Sequence, residues 1–459
     1  MSTPARFILL MLAQAAVLPG QQGPLTMTAA IENAVRNYPS IRISQEQINA
    51  AAAGIQLART AYLPRVDALA QVNRATRNNV FGLLLPQNVI PSMSGPVIGT
   101  NNFGTAWGSV VGGLVTWEPF DFGLRDANVT VASAARNQSE AALKRTQFDV
   151  AVSTVNAYLT LAAAEETVRA AQAGVDRAEV ILRTTNALVN AELRPGADAS
   201  RAEAELAAAR TELIQAQQAT EIARATLAQF VGGEPSQIDI SAPGLLQMPA
   251  ERPPTGLDTA SNPVSVEQNA VVAQEQARLR ALERTYFPRF YLQASAYARG
   301  TGAEVDGRLL GGLNGLAPNV QDYAVGFSVN FPIMDLPAIR ARQSAQSATI
   351  RAETARYQQI ATDLRAQWNR AVANLQGARR IAGNTPVEVS AARAATQQST
   401  ARYQSGLGNI DEVAEAERLL TQAEIDDALA RLGIWRGLLG VAAAAGDIEP
   451  FVAEVSSKQ

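Results

Sequence analysis

The segment YLPRV at residues 62–66 recurs as YFPRF at residues 286–290, and this repetition decides the fold. A second pair of similar segments follows, EPF at 118–120 and FPI at 331–333. In each copy the two segments enclose a pair of short strand patterns and precede a very long helical pattern. Self-similarity at a long spacing signals duplicated structural units. The sequence therefore predicts two internal repeats, each ordered as helix, strand, loop, strand, long helix, turn and helix.

The chain divides around these repeats. The predicted parts are an export signal at 1–20, a first repeat at 21–231, a linker at 232–262, a second repeat at 263–446 and a tail at 447–459. Glycine and proline, which mark loops, are frequent in the linker. The export signal is predicted from Arg6, the apolar run at 7–12 and the small residues Ala13 and Ala15. The alternative for this segment is a buried N-terminal helix.

The composition excludes several kinds of chemistry. The 459 residues include no His and no Cys, which excludes imidazole bases, thiol nucleophiles, disulfides and a lipid on an N-terminal cysteine. Lys+Arg 39 against Asp+Glu 42, with a pI near 5.4, gives no basic surface for nucleic acid. We expect an exported protein that is not lipidated, is not an enzyme, binds no nucleic acid and needs no cofactor or metal.

Heptad patterns predict long coiled coils. No proline interrupts residues 123–193, and such a helix would extend about 100 Å at 1.5 Å per residue. Its seam consists of Leu161, Val168, Val175, Leu182 and Val189. The next predicted helix of the first half runs back along this one and keeps the same heptad register, except at Thr220. The matching helix of the second half carries Val413, Ala416, Leu420, Ala423, Ala430, Ile434, Gly437 and Val441, with Asp427 as its exception.

Four short segments alternate apolar and polar residues, two in each half. They lie at about 65–72, 106–118, 286–299 and 323–331, and the second is less regular and also fits a soluble hairpin. Such alternation is typical of transmembrane strands with lipid on one side and a polar lumen on the other. Aromatic residues at the strand ends predict a belt at a membrane interface. These residues are Tyr62, Trp117, Tyr286 and Phe331.

Four strands cannot close a barrel, and an open sheet edge in hydrocarbon costs several kcal/mol for each unpaired backbone group. Oligomerisation is therefore required. Two chains would give a lumen filled by side chains, whereas three would give a passage wide enough for solutes, and the small, polar inner faces favour three. The predicted fold is an α+β membrane protein, a trimeric 12-stranded transmembrane β-barrel with four strands per chain, continued by a long α-helical coiled-coil barrel.

These features resemble the TolC-like outer-membrane factors, or outer membrane efflux proteins, over nearly the whole mature chain. The matching segments are the duplicated unit, PFDFG at 119–123, PIMDLP at 332–337 and the two helical turns. The resemblance implies a homotrimeric duct that spans the outer membrane and extends into the periplasm. The implied partners are outer-membrane lipid, a periplasmic adaptor and an inner-membrane transporter, of RND type first, with ABC and MFS types as alternatives.

The resemblance also implies a periplasmic gate at the two turns. Its predicted residues are Asp198, Tyr403, Glu412 and Glu415, with the turn glycines Gly196, Gly406 and Gly408. Gly408 stands where the family has a basic residue, which removes a salt bridge from that position. Glu412 and Glu415 are three residues apart and so share one helical face. The alternative is that Asp198, Asp411 and Glu412 simply favour helix N-termini as acidic residues.

The function predicted first is a passive exit duct of a tripartite efflux pump or type I secretion system. The alternative is an autonomous outer-membrane diffusion porin, which would use many strands rather than hundreds of helical residues. A soluble coiled-coil adaptor would not need the alternating strands. In the duct, the connections at about 74–105 and 300–321 are expected to face the outside of the cell.

Overall fold

The computed structural model describes residues 24–75, 104–240, 243–251, 256–304 and 308–457. Within this part of the chain there are eight α-helices and four β-strands. The helices are α1 (Met27–Asn37), α2 (Pro39–Thr60), α3 (Leu124–Asn190), α4 (Gly196–Val231), α5 (Pro263–Arg284), α6 (Leu336–Gln404), α7 (Ile410–Ala445) and α8 (Glu449–Ser456). The strands are β1 (Arg65–Ala75), β2 (Ala106–Phe120), β3 (Arg289–Thr301) and β4 (Val320–Asn330).

The element order agrees with the predicted order in both halves. Helix, two strands, long helix and helix occur as α2 to α4 and again as α5 to α7. The internal duplication itself stays a prediction. The predicted export signal and most of the connection at 74–105 lie outside the described residues.

The chain forms two compact units. The helical unit comprises Met1–Ile41, Thr146–Asn262 and Asp363–Gln459. The sheet unit comprises Arg42–Arg145 and Pro263–Thr362. The two predicted helical turns belong to the first unit, and all four strands belong to the second.

The four strands form one antiparallel sheet in the order β1-β2-β3-β4. β2 pairs with β1 on one side and with β3 on the other, so the segment at 106–118 is a central strand rather than half of a separate hairpin. In one chain β1 and β4 are the edge strands, each paired on one side within the described residues. The sheet thus leaves two edges for further pairing.

The strand register confirms the predicted alternation of faces. One row across the sheet consists of Val66, Val115, Ala294 and Val325. The adjacent row, on the opposite face, consists of Asp67, Leu114, Ser295 and Ala324. Val66 and Val325 are 69% and 70% exposed in one chain. An exposed face of this kind needs an apolar environment to be stable.

The predicted heptad seam of α7 is buried from Val413 through Gly437. Both predicted exceptions have polar partners: the buried Thr220 hydroxyl donates to the Ala216 carbonyl at 3.0 Å, and Asp427 accepts from Thr385 Oγ1 at 2.7 Å. Among the described helices, α7 alone has the length and composition to cross a membrane, with 33% of its most apolar window buried in the chain. Its buried seam makes it a core helix of its unit.

The core of the helical unit gathers residues from both ends of the chain. Tyr158 and Trp435 are fully buried there, and the Tyr158 hydroxyl donates to the Leu25 carbonyl at 3.0 Å. Part of the predicted linker joins this core through the buried residues Ile238, Ile240 and Leu245. The predicted tail at 447–459 contains α8, which buries Phe451 and Val455 against the same core. A short amphipathic helix is stable here because of this packing.

Candidate functional site

The two predicted turns have different backbone geometry. In the second turn, between α6 and α7, Gly406 has φ +82, a left-handed conformation that glycine adopts without strain. In the first turn the residue with positive φ is Glu192, at +61. Gly196 is instead the first residue of α4 and has open space around its Cα. Gly406 thus lies within the second turn, whereas Gly196 lies just after the first turn, at the start of α4.

Arg194 joins the two turns. Its Nη2 atom donates to the Gly408 carbonyl at 3.0 Å and also to the Tyr403 carbonyl. Its guanidinium lies over the Tyr403 ring, 4.3 Å from the ring centroid. Carbonyls at the end of α6 have no partner within the helix, so a cation that binds them is favourable. One side chain of the first turn thus holds the backbone and the ring of the second.

Tyr403 provides a second link in the opposite direction. The side chain is 2% exposed, and its hydroxyl donates to Asp198 Oδ2 on α4 at 3.0 Å. Burial raises the pKa of the Tyr403 phenol, and the nearby Asp198 carboxylate acts in the same sense. The phenol therefore remains protonated and able to donate at neutral pH.

Arg194, Tyr403 and Asp198 together form the turn clasp. Apolar residues surround it: Ala202, Ile410 and Val413 are buried in the same cluster. Gly408 is restricted by space rather than by φ, because a Cβ there would lie 3.3 Å from the Tyr403 nitrogen and from Glu412 Oε2. A larger residue at that position would have to displace part of the turn.

The predicted gate acids have arginine partners within the same chain. Glu415 lies 2.6 Å from Arg418, and Glu412 lies 3.8 Å from Arg402. Asp411 pairs with Arg201 of α4 at 3.2 Å. The cap of α7 is Asn409, whose side chain accepts from the Glu412 amide at 2.8 Å. Exposed pairs of this kind contribute about 0–1 kcal/mol each. They nevertheless balance much of the local negative charge that the sequence predicted.

The predicted interface aromatics lie in the sheet unit. Trp117 Nε1 donates to the Tyr62 carbonyl at 3.1 Å, and the rings of Tyr286 and Phe331 are 5.5 Å apart in an edge-to-face contact. The four predicted belt residues are between 36% and 43% exposed. Partly exposed aromatic rings with a polar contact are typical of residues at a membrane interface. The belt itself stays a prediction.

The junction from β2 to α3 is held by a buried ion pair that the sequence analysis did not single out. Arg125 Nε lies 3.0 Å from Asp121 Oδ2, and both side chains are 8% exposed. Asp121 also accepts from the amide of Arg125 at 2.6 Å, which caps the start of α3. The Arg125 guanidinium lies 4.7 Å from the Tyr62 ring centroid. Asp121 lies in the quoted segment PFDFG, so that segment has a structural role at the strand-to-helix passage.

A protein-family model described as outer membrane efflux protein matches residues 30–233 and 260–447 of the chain. No curated protein sequence matches the chain. The two matched segments include both helical turns, the four strands and the clasp residues.

Solved structures share the fold at low sequence identity. The outer-membrane channel OprN is 21% identical with a TM-score of 0.71, over 92% of this chain and 89% of that chain. CusC is 15% identical with a TM-score of 0.74, over 92% of each chain. The outer membrane channel MtrE of Neisseria gonorrhoeae, solved in an open state, is 19% identical with a TM-score of 0.68, over 92% of this chain and 89% of that chain.

Proposed function

The chain belongs to the outer membrane efflux protein family, and from this premise we propose that it is the outer-membrane exit duct of a tripartite efflux pump or type I secretion system. It conducts substrates passively from a periplasmic adaptor and an inner-membrane transporter to the outside of the cell. The transporter that we propose is of the RND type, and the alternatives are the ABC and MFS types. The mature chain is exported with its signal removed and carries no lipid.

The observation that carries this proposal is the two-faced sheet with two open edges. Its apolar face includes the row Val66, Val115, Ala294 and Val325, whereas the opposite face carries charged and polar residues. Backbone groups at the β1 and β4 edges need partners in lipid. Pairing β4 of one chain with β1 of the next in a homotrimer supplies those partners and closes twelve strands. Apolar residues then face outer-membrane lipid and polar residues face the lumen.

The turn clasp supports a gate at the periplasmic end of the helices. We propose that the clasp holds the closed state, and that adaptor binding favours an alternative packing in which the helix pairs move apart. Structural relatives include a channel solved in an open state, which supports a fold with more than one arrangement. An exit duct of this kind is a passage and carries out no catalysis.

Single-channel recording in planar bilayers tests the duct. A closed duct conducts weakly until the clasp is broken, whereas an autonomous porin conducts strongly from the start. The native protein should therefore show brief, small openings, and Arg194→Gln should lengthen them. Arg210→Gln, which removes a more exposed pair with Glu179 at 2.9 Å, is the matched control and should behave as the native protein does. Steady, large conductance of the native protein would support the porin instead.

A further inference from the structure

Arg177 of α3 makes an unusual set of contacts with one side of α7. Its Nε lies 2.9 Å from Glu417 Oε2, its Nη1 lies 3.1 Å from Glu424 Oε2, and its Nη2 donates to Thr421 Oγ1 at 2.8 Å. The three partners are spaced four and three residues apart and so form a single stripe of α7. All three guanidinium nitrogens therefore bind the same helix.

The two helices approach closely at the same level. A Cβ built on Gly174 of α3 would lie 2.9 Å from Thr421 Oγ1 and 3.2 Å from its methyl carbon. Only glycine fits without displacing Thr421. α6 joins the contact, because Arg393 Nη2 lies 3.2 Å from Glu424 Oε1. Glu424 thus binds arginines from two helices, and the contact ties α3, α6 and α7 together.

Clefts border α7 on both sides of this contact. One of about 400 Å³, between α3, α4 and α7, extends from the contact residues Gly174, Glu417 and Thr421 towards the turns, and another of about 750 Å³ lies between α6 and α7 at residues 426–433. Much of the lining of the first cleft is small, including Ala178, Ala202 and Ala414. From Thr421 back to the start of α7 at Ile410 is about 16 Å at 1.5 Å per residue. The cleft of about 400 Å³ leaves room beside this segment of roughly three turns for a change of packing.

We propose that Arg177 is the fulcrum of the gate: it fixes α7 to α3 at the stripe from Glu417 to Glu424, so that opening moves only the segments between this contact and the two turns. Arg177 is a positioning residue, because it acts through α7 and not on the transported molecule. The effect of Arg177 on conduction rests on the proposed function, whereas its restriction of the motion of α7 does not.

Burial and charge agree with a positioning role. The Arg177 side chain is 25% exposed and that of Glu417 is 16% exposed. Ion pairs removed from water often add little to stability, because desolvation offsets the attraction between the charges. Such pairs can instead fix how two helices align. The fork of a guanidinium suits this task, since one lysine ammonium cannot match three acceptors in a fixed geometry.

Hydrogen–deuterium exchange of the full-length protein in detergent tests the fulcrum. In Arg177→Gln, exchange of α7 residues 410–420 should rise at least about tenfold, since the loss of even one of the three charge-assisted contacts gives roughly that factor. Residues 430–445, on the other side of the contact, should keep their native rate. Arg177→Lys should give an intermediate rise. Arg210→Gln, which removes an α4–α3 pair, is the matched control and should change neither segment.

Two results would overturn the proposal: unchanged exchange at 410–420, or an equal rise along the whole of α7, which marks a general loss of packing. If Arg177→Gln fails to fold, Thr421→Val removes one of the three contacts at similar volume and should raise exchange at 410–420 by a smaller factor than the loss of all three. Bilayer conductance is measured on the same variants. A rise at 410–420 without a change in conductance would support the fulcrum and count against the proposed gate function.

Discussion

The clasp between the turns makes a quantitative prediction for Tyr403→Phe. The substitution removes the hydroxyl that donates to Asp198 Oδ2 at 3.0 Å and keeps the buried ring under Arg194. Hydrogen bonds to charged groups contribute about 1.5–3 kcal/mol, and Asp198 is partly exposed, so we expect about 1–2 kcal/mol for each chain. If opening requires all three chains of the trimer to release the bond, the closed state loses about 3–6 kcal/mol. Even the lower value shifts the equilibrium roughly 150-fold.

Open probability in planar bilayers is the measurement, arranged as a double-mutant cycle of Tyr403→Phe and Asp198→Asn. Because the two groups act through one bond, the double variant should open no more than the stronger single variant. Arg194→Gln should have the larger effect, since it removes two contacts with backbone carbonyls and the stacking on the ring. Additive effects in the cycle, or an open probability unchanged by either single variant, would refute the clasp as the closing contact.

The remaining predictions concern assembly, charge and pH. Mass measurement of the detergent-solubilised protein should give a trimer, and a stable monomer with a closed barrel would overturn the proposed architecture. In the Glu412→Ala/Glu415→Ala variant, block of the conductance by multivalent cations should disappear and the ion preference should shift towards anions, because Arg402 and Arg418 lose their partners. An unchanged preference would make both acids ordinary surface charges. Burial raises the pKa of Glu417, opposed by Arg177, so the folded chain binds this proton more tightly than the unfolded chain. We therefore expect the native protein to lose free energy of unfolding, relative to Glu417→Gln, as pH rises through that raised pKa. Thermal unfolding of both proteins at several pH values measures this difference.

Elements that depend on local periodicity were predictable from the sequence. The α7 seam and the faces of β1, β3 and β4 follow from side-chain spacing within one segment, and both agree with the structure, whereas the segment that forms β2 was less regular. α8 was missed because it has 8 residues, too few for a helical period to stand out, and because its stability comes from Phe451 and Val455 packing on a distant core. The trimer, the repeats and the gate remain predictions or proposals, since one chain tests none of them.

The contacts of the site arginines could not be predicted from local sequence patterns, for a different reason. Arg194 and Gly408 are 214 positions apart, and Arg177 and Glu417 are 240 apart, so no spacing rule joins either pair. One signal was available at the turns. The sequence places Gly408 where the resemblance expects a basic residue, so a linking salt bridge cannot come from that position. Arg194, two residues before Gly196, was the nearest basic residue of the first turn that could supply one.

The choice of arginine at both contacts follows from their geometry. Lysine occurs in the chain only at Lys144 and Lys458, so almost every positive charge is a guanidinium. Arg194 binds two carbonyls while it lies flat on a ring, and Arg177 binds three side chains along one helix. A planar fork meets such sets of acceptors with little further loss of side-chain freedom, whereas an ammonium group cannot. Thr421, at the Arg177 contact, lies about 16 Å along α7 from Ile410, where the helix begins beside the turn clasp. In the proposed gate, a closed state held at both points opens by releasing the turn clasp, while Arg177 preserves the packing on which closure depends.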